Sequence, residues 1–284
     1  MKTLIVIAGP TASGKTAKAI QLAKQLNTVI LSADSRQFYK EMRIGTAVPS
    51  LQELNEVKHY FIQHISILKD YDVADYERDA LRLLDKLFKE HDQVVMAGGS
   101  GLYIDAVCNG IDPMPNISET TRQKVVRLYR EGGLEALQRE VRRLDPAYWA
   151  EVDWKNPRRL QRALEMYYQT GQPYSAFRNK TPAERPFAIQ KYALLREKQD
   201  LYNRINQRVE VMLSQGLVDE ARRLYPYRRR NALNTVGYKE LFRYFDGECS
   251  LMEAVEQIKL DTRHYAKRQM TWLRRDESYR WVNS

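Results

Sequence analysis

The stretch "GPTASGKT", Gly9 to Thr16, constrains this chain more than any other. It follows the apolar run "TLIVIA" and opens "AKAIQLAKQL", which has helical spacing. Gly, four residues, then Gly-Lys-Ser/Thr is the pattern of a phosphate-binding loop. Gly9 and Gly14 allow the tight backbone path, and successive N–H groups and a helix N-terminus then point at anionic oxygens. Lys15 adds a point charge, and the Thr16 hydroxyl can bind Mg²⁺. A strand must enter this loop and a helix must leave it, which predicts an α/β fold.

The first 110 or so residues keep that promise of alternation. "TVILSA" (Thr28 to Ala33) reads as a second buried strand and "QVVMAGGSG" as a third, ending in a glycine turn. Between them, "ADYERDALRLLDKLFKEH" carries Tyr76, Ala80, Leu83, Leu84, Leu87 and Phe88 on one helical stripe. Such alternation predicts a parallel sheet with helices on both faces. At "NGIDPMPNIS" Gly, Asp and two prolines mark a break. A helical stretch rich in Arg, Glu, Tyr and Trp follows, up to a second break at "NKTPAERPF". "AIQKYALL" (Ala188 to Leu195) then reads as a strand returning to the sheet, before long basic helices. The expected layout is a core in two parts, 1–111 and 181–284, around an inserted helical domain, 112–180.

The formal net charge of +10 suits a polyanionic partner. Two cysteines cannot build a disulfide framework or a four-ligand zinc site of their own, and the four histidines are scattered along the chain, which disfavours a metal cluster. No apolar run approaches the about 20 residues of a membrane helix. Met1 and Lys2 lead straight into a strand without a signal pattern. The expectation is a soluble, cytoplasmic, monomeric protein without a membrane partner.

Other stretches carry candidate chemistry. Asp34, in "SADSRQFYK", follows the second strand, where ligands bind open α/β sheets. It can be a general base, a metal carboxylate, or merely a turn or cap residue. Gly98, Gly99 and Gly101 of "MAGGSGLY" permit a ligand to approach, and Ser100 can contact it. "NPRRLQRALEMY" opens with a helix-start signal and sets Arg158, Arg159 and Arg162 on its first turns. Arg204 and Arg208 stand four apart, on one helix face, suited to gripping one diphosphate or to surface ion pairs. "DTRHYAKRQMTWLRR" interleaves cations with Tyr265 and Trp272, a nucleic-acid signature, although Trp272 can equally be core.

Together "GPTASGKT", "SADSRQFY", "MRIGTAVP", "GGSGLY", "NPRRLQRALE", "VGYKE" and "TRHYAKRQMTWLR" resemble the tRNA dimethylallyltransferases, in order and spacing, nearly end to end. The resemblance implies a P-loop NTPase-like parallel sheet flanked by helices, with an inserted all-helical domain that grips the tRNA anticodon stem-loop. It implies that the loop holds the diphosphate of dimethylallyl diphosphate rather than hydrolysing a nucleotide, with Mg²⁺ as cofactor. The prenyl group then goes to N6 of the adenine 3′ to the anticodon. On that resemblance Gly9, Pro10, Thr11, Ala12, Ser13, Gly14, Lys15 and Thr16 hold the diphosphate, and Asp34, Lys15, Thr16 and Arg208 are catalytic. Asp34, Ser35, Arg36, Gln37, Ser100, Arg122, Arg158, Arg159, Leu160, Gln161, Arg162, Gly237, Tyr238, Lys239, Lys267, Arg268, Gln269, Trp272 and Arg274 fall to the tRNA. At "KHYFIQHI" the chain departs from the paired histidines and Ile/Leu-Asp common in the family, so no role passes to His59. Its short length and lack of a C-terminal zinc finger resemble the bacterial type. The phosphate loop alone also fits an ATP-dependent small-molecule or nucleoside kinase, which the basic C-terminal helix and "NPRRLQRALE" disfavour. A non-catalytic RNA-binding protein would not need Lys15, Thr16 and Asp34 together.

Overall fold

The computed structural model describes residues 1–178 and 181–283. "TLIVIA" forms β1 (Thr3–Ala8), buried at all six positions. A strand buried on both faces belongs inside a covered parallel sheet. β1 indeed lies between β4 (Gln93–Gly98) and β5 (Ala188–Leu195), parallel to both. β2 (Ile30–Ser32) and β3 (His59–Tyr60) extend the sheet beyond β4, and β6 (Tyr279–Asn283) extends it beyond β5. The order is β3-β2-β4-β1-β5-β6, with every pair parallel. The chain leaves β1 toward one side and returns to its other side through β5. Loops at the carboxyl ends of β1, β2 and β4 therefore gather at one switch point, where such sheets bind ligands.

Strand alternation distributes the core. Leu4, Val6 and Ala8 join Leu31, Val94 and Met96 on one face, and Ile5 and Ile7 join Ile30 and Val95 on the other. The second face is covered by Ala19, Ile20 and Ala23 of α1 (Lys15–Gln25). The first is covered by α3 (Val73–Glu90), α4 (Gly101–Asn109) and the later helices. α3 starts at a capping box made by Asp72 and Asp75 and buries Tyr76, Ala80, Leu84, Leu87 and Phe88. Leu83 of the expected stripe is only partly buried and packs at its margin. The short α2 (Leu51–Glu56) starts at a second capping box, Ser50 with Glu53.

The chain divides into two compact units, Met1–Gly110 with Glu184–Ser284, and Ile111–Ala183. In the second, α5 (Glu119–Leu144) packs on α7 (Pro157–Thr170), with α6 (Pro146–Trp149) between them in sequence. Val125, Leu137, Val141, Leu160 and Leu164 form its own core. α5 kinks at Gly133, whose φ of 62° and ψ of −160° are open to glycine. α7 starts with Asn156 as N-cap and Pro157 at its first position. The C-terminal part of the first unit contains α8 (Lys198–Ser214), α9 (Leu217–Leu224), α10 (Lys239–Phe245) and α11 (Leu251–Leu273). No described helix is long and apolar enough to cross a membrane.

Candidate active site

The phosphate loop joins β1 to α1. Gly14 caps the helix with φ 93°, in the left-handed region that glycine occupies without strain. Ala12 also has a positive φ, 64°, where a side chain is strained. Its carbonyl accepts a hydrogen bond from Arg204 Nε at 2.9 Å, which holds the backbone there. Arg208 Nη1 donates to Thr11 Oγ1 at 3.3 Å, and Lys15 Nζ donates to the Pro10 carbonyl at 3.3 Å. Both arginines of α8 thus meet the loop, and the expected preference for Arg208 over Arg204 has no basis in these contacts.

The loop borders a cleft of about 1040 Å³. Thr11, Ala12, Gly14, Lys15, Thr16, Asp34, Gln37, Arg204 and Arg208 all line it. Burial lowers the Lys15 ammonium from 10.5 to about 8; the Asp34 charge opposes this and Arg208 reinforces it. Burial and then Arg204 lower the Arg208 guanidinium, against Asp34 and Glu53. These shifts describe cations crowded around space suited to an anion. Gly9, Pro10 and Ser13 are expected among the diphosphate contacts, yet all three are buried and none of them lines the cleft. Ser13 Oγ is enclosed, and a Cβ at Gly9 would lie 2.7 Å from it. The Thr11 N–H is also engaged, donating to Gln269 Oε1 at 2.8 Å.

Asp34 follows β2 and faces this cluster. Its Oδ1 accepts the Arg36 N–H at 3.1 Å, so it serves its own turn as well as lining the cleft. Ser100 lies beside it in the structure: its Oγ accepts the Ser35 N–H at 3.0 Å and donates to Ser35 Oγ at 3.2 Å. Tyr265 of α11 reaches the same place, its phenol pushed up to about 12 by burial and the Asp34 charge. Gln37 Nε2 donates to the carbonyls of Thr46 and Ala47 at 3.2 and 2.9 Å. Arg36 Nη1 donates to the carbonyls of Asn231 and Ala232, each at 3.1 Å.

Several expected RNA contacts are corrected by burial. Leu160 and Tyr238 are each 0 % exposed, and Gln269 is 7 % exposed. Leu160 belongs to the helical unit's core. The Tyr238 hydroxyl donates to Glu220, and Gly237 is buried beside it. Gln269 Nε2 donates to the Gly99 carbonyl at 2.8 Å while its Oε1 holds Thr11, so this side chain ties two loops together. Trp272 is partly buried, and its Nε1 donates to Asp105 Oδ2 at 3.1 Å. At three positions of the glycine turn an added side chain would meet neighbouring protein, although Gly98 also lines the cleft. A Cβ would lie 2.2 Å from the Ala33 carbonyl oxygen at Gly98, 2.2 Å from Gln269 Nε2 at Gly99, and 2.3 Å from the Trp272 ring at Gly101.

Other expected positions do offer surface. Lys267, Arg268 and Arg274 are exposed on or just past α11. Exposed Lys239 pairs with Glu240 and Asp261, each at 3.3 Å. In the helical unit Arg122, Arg158 and Arg159 are exposed; Gln161 and Arg162 are partly so, and Arg162 lies 3.7 Å from Glu165.

The cleft has members to which the sequence reading assigned no role. Arg43, Ile44 and residues 46–50 form one wall, and Gln207, Val211 and Met212 contribute from α8. His59 lines it too, with Nδ1 2.8 Å from the Val57 carbonyl and its pKa lowered by burial. Among the described residues no cluster of three or more His, Cys, Asp or Glu forms a metal cage. Thr16 of the loop and the carboxylate of Asp34 are hard oxygen donors bordering the cleft, and a second carboxylate, Glu53, lines it as well.

These features can hold an anion against backbone amides and three cations, with a carboxylate alongside. Comparison with known proteins agrees over the whole chain. Residues 37–276 match the family described as IPP transferase. The tRNA dimethylallyltransferase 1 of Bacteroides thetaiotaomicron is 50% identical over 283 residues, covering 100% of this chain and 92% of the relative. The solved tRNA isopentenylpyrophosphate transferase of Bacillus halodurans is 34% identical with a TM-score of 0.73, covering 100% of this chain and 90% of that one. A eukaryotic dimethylallyltransferase acting on tRNA, at 24% identity, shares the fold with a TM-score of 0.81, covering 100% of this chain and 74% of that one. A match of this extent and identity places the chain in the IPP transferase family, among the tRNA dimethylallyltransferases.

Proposed function

We propose that this enzyme transfers a dimethylallyl group from dimethylallyl diphosphate to N6 of the adenine 3′ to the anticodon of tRNA, releasing diphosphate, and that it acts as a monomer. The observation that carries the reading is one cleft lined by Lys15, Thr16, Arg204 and Arg208 together with Asp34. Asp34 and Arg208 both bear electrostatically on Lys15.

An adenine amine is a weak nucleophile because its lone pair is delocalised into the ring. Asp34 takes its proton as the N6–C bond forms and the carbon–oxygen bond to diphosphate breaks. Lys15, Arg204, Arg208 and the amides at the α1 N-terminus receive the charge that develops on the leaving diphosphate. Thr16 and Asp34 are hard oxygen donors without a preformed cage, which fits a Mg²⁺ ion held largely by substrate phosphates and water. Bound there, Mg²⁺ would neutralise part of the leaving group's charge. The exposed Arg122, Arg158 and Arg159 of the helical unit, with Lys267, Arg268 and Arg274, support contacts to the phosphates of an anticodon stem-loop. The target base must leave its stack to reach Asp34.

The test is transfer of label from dimethylallyl diphosphate to total tRNA, with Mg²⁺ and without ATP. Label should enter tRNA, and Asp34→Asn should lower the rate by about 10²-fold or more with little change in tRNA affinity. ATP consumption driven by a small molecule, with no transfer, would replace this reading with a kinase.

A further inference from the structure

One wall of the cleft is a strap, residues 43–50, whose position is imposed from far along the chain. Glu220, in α9, is 4 % exposed. Its carboxylate accepts three successive backbone N–H groups: Arg43 at 3.1 Å, Ile44 at 2.9 Å and Gly45 at 3.0 Å. The hydroxyl of Tyr238, which is 0 % exposed, donates to the same carboxylate at 2.6 Å. A backbone turn that aims consecutive amides at one point is an anion nest. Here the nest is filled from inside by the protein's own carboxylate. Gly45 lies flat on the Tyr238 ring, where a Cβ would be 2.6 Å from ring atoms.

The middle of the strap is held by Gln37 through the Thr46 and Ala47 carbonyls. At this second anchor the Ala47 backbone takes a φ of 51°, an uncommon conformation for a residue with a side chain. Ile44, Ala47, Val48 and Pro49 give the cleft an apolar wall, while Lys15, Thr16, Arg204 and Arg208 line it with polar and cationic groups. A donor held by its diphosphate must lay its hydrocarbon tail along some apolar part of the same cleft.

We propose that Glu220 and Tyr238 are positioning residues that set this wall and thereby the length of the allylic tail the enzyme accepts, an inference that rests on the prenyl-transfer reading above. Neither side chain lines the cleft, so each acts through the strap. Replacing the carboxylate by an amide turns a donor, the amide NH2, toward backbone N–H groups that are themselves donors, and removing the phenol oxygen removes the hydroxyl's bond to the carboxylate.

The experiment compares dimethylallyl diphosphate with geranyl diphosphate in the parent, Tyr238→Phe and Glu220→Gln proteins. Both kcat/KM for transfer and equilibrium binding of each donor are measured. Tyr238→Phe keeps the ring that packs on Gly45, so it reports even if Glu220→Gln folds poorly. The expected result is a roughly tenfold loss with the five-carbon donor and a smaller loss with the ten-carbon donor, in line with the cost of small misplacements in a site. Affinity for inorganic diphosphate should stay unchanged. The ratio between donors does not depend on the fraction of folded enzyme, so a purely stabilising role leaves it constant. Equal losses with both donors, or a matching loss of inorganic diphosphate affinity, would overturn the proposal. If neither donor is transferred to tRNA by the parent, the functional reading fails, while the binding ratio still decides the role of the strap.

Discussion

Gln269 separates two accounts of the C-terminal helix. Resemblance places it among RNA contacts, whereas in the structure its amide bridges Thr11 N–H and Gly99 O at 2.8 Å each. Gln269→Leu leaves a partly buried donor and a partly buried acceptor without this partner. Each such group costs about 1–3 kcal/mol, so the variant should lose about 2–6 kcal/mol. At about 2–4 °C per kcal/mol for a large domain, the melting temperature should fall by ~4–24 °C. Gln269→Glu can still accept from Thr11 but turns a second acceptor on the Gly99 carbonyl, so it should also lose stability. The catalytic effect follows from geometry. The amide fixes the phosphate loop against the turn that carries Ser100, and thus the donor against Asp34. Loss of that spacing should lower kcat, by as much as ~10²-fold for a displacement near 1 Å. Binding of inorganic diphosphate, which the amides beyond Thr11 still serve, should change little. Calorimetry, single-turnover transfer and filter binding of tRNA together read this out. A drop in tRNA affinity of more than about tenfold, with no loss of stability, would refute the reasoning and return Gln269 to the RNA surface.

Three further outcomes are expected. Because burial holds Lys15 near 8 against an ordinary 10.5, the unfolded chain binds a proton between these values that the folded chain has released. Stability should therefore rise with pH across that window; Lys15→Met should be more stable than the parent at pH 7, with the difference closing by pH 10.5, and the parent's donor KM should climb above pH 8 as the cation is lost. Gly98→Ala should destabilise by about 3 kcal/mol or fail to fold, since its methyl would meet the Ala33 carbonyl at 2.2 Å; normal melting would show that β2 can move aside. Replacing Arg158 and Arg162 with Ala should reduce the slope of log K against log salt for tRNA by about one for each phosphate no longer neutralised, and an unchanged slope would place the RNA elsewhere.

Local chemistry made much of this protein legible. A strand entering and a helix leaving "GPTASGKT" follow from one loop, because its glycines and its cation have meaning only between those elements. β1, α3 and β5 follow from apolar periodicity, since long, strongly patterned segments leave few alternatives. β3 and β6 did not announce themselves: a two-residue strand carries no period, and "YRWVN" is largely exposed at the sheet's edge. Glu220 left a faint sign, a carboxylate on the same stripe as Leu217, Ala221 and Leu224, but its spacing says nothing of which amides it will find.

The same limit governs the site. Residue type identified Lys15, Thr16, Asp34, Arg204 and Arg208 as chemistry-bearing, because charge and hydrogen-bonding capacity are properties of the side chain alone. Whether Gln269, Tyr238 and Leu160 face nucleic acid or core is a property of what packs against them. Gln269 and Tyr238 sit in basic or polar stretches that read as surface, yet folding brings Thr11, Gly99 and Glu220 to them from distant parts of the chain. The sequence by itself determined the chemistry and the sheet that presents it. The tertiary structure decided which polar groups are spent on one another, because a hydrogen bond already made inside the protein is no longer open to a substrate.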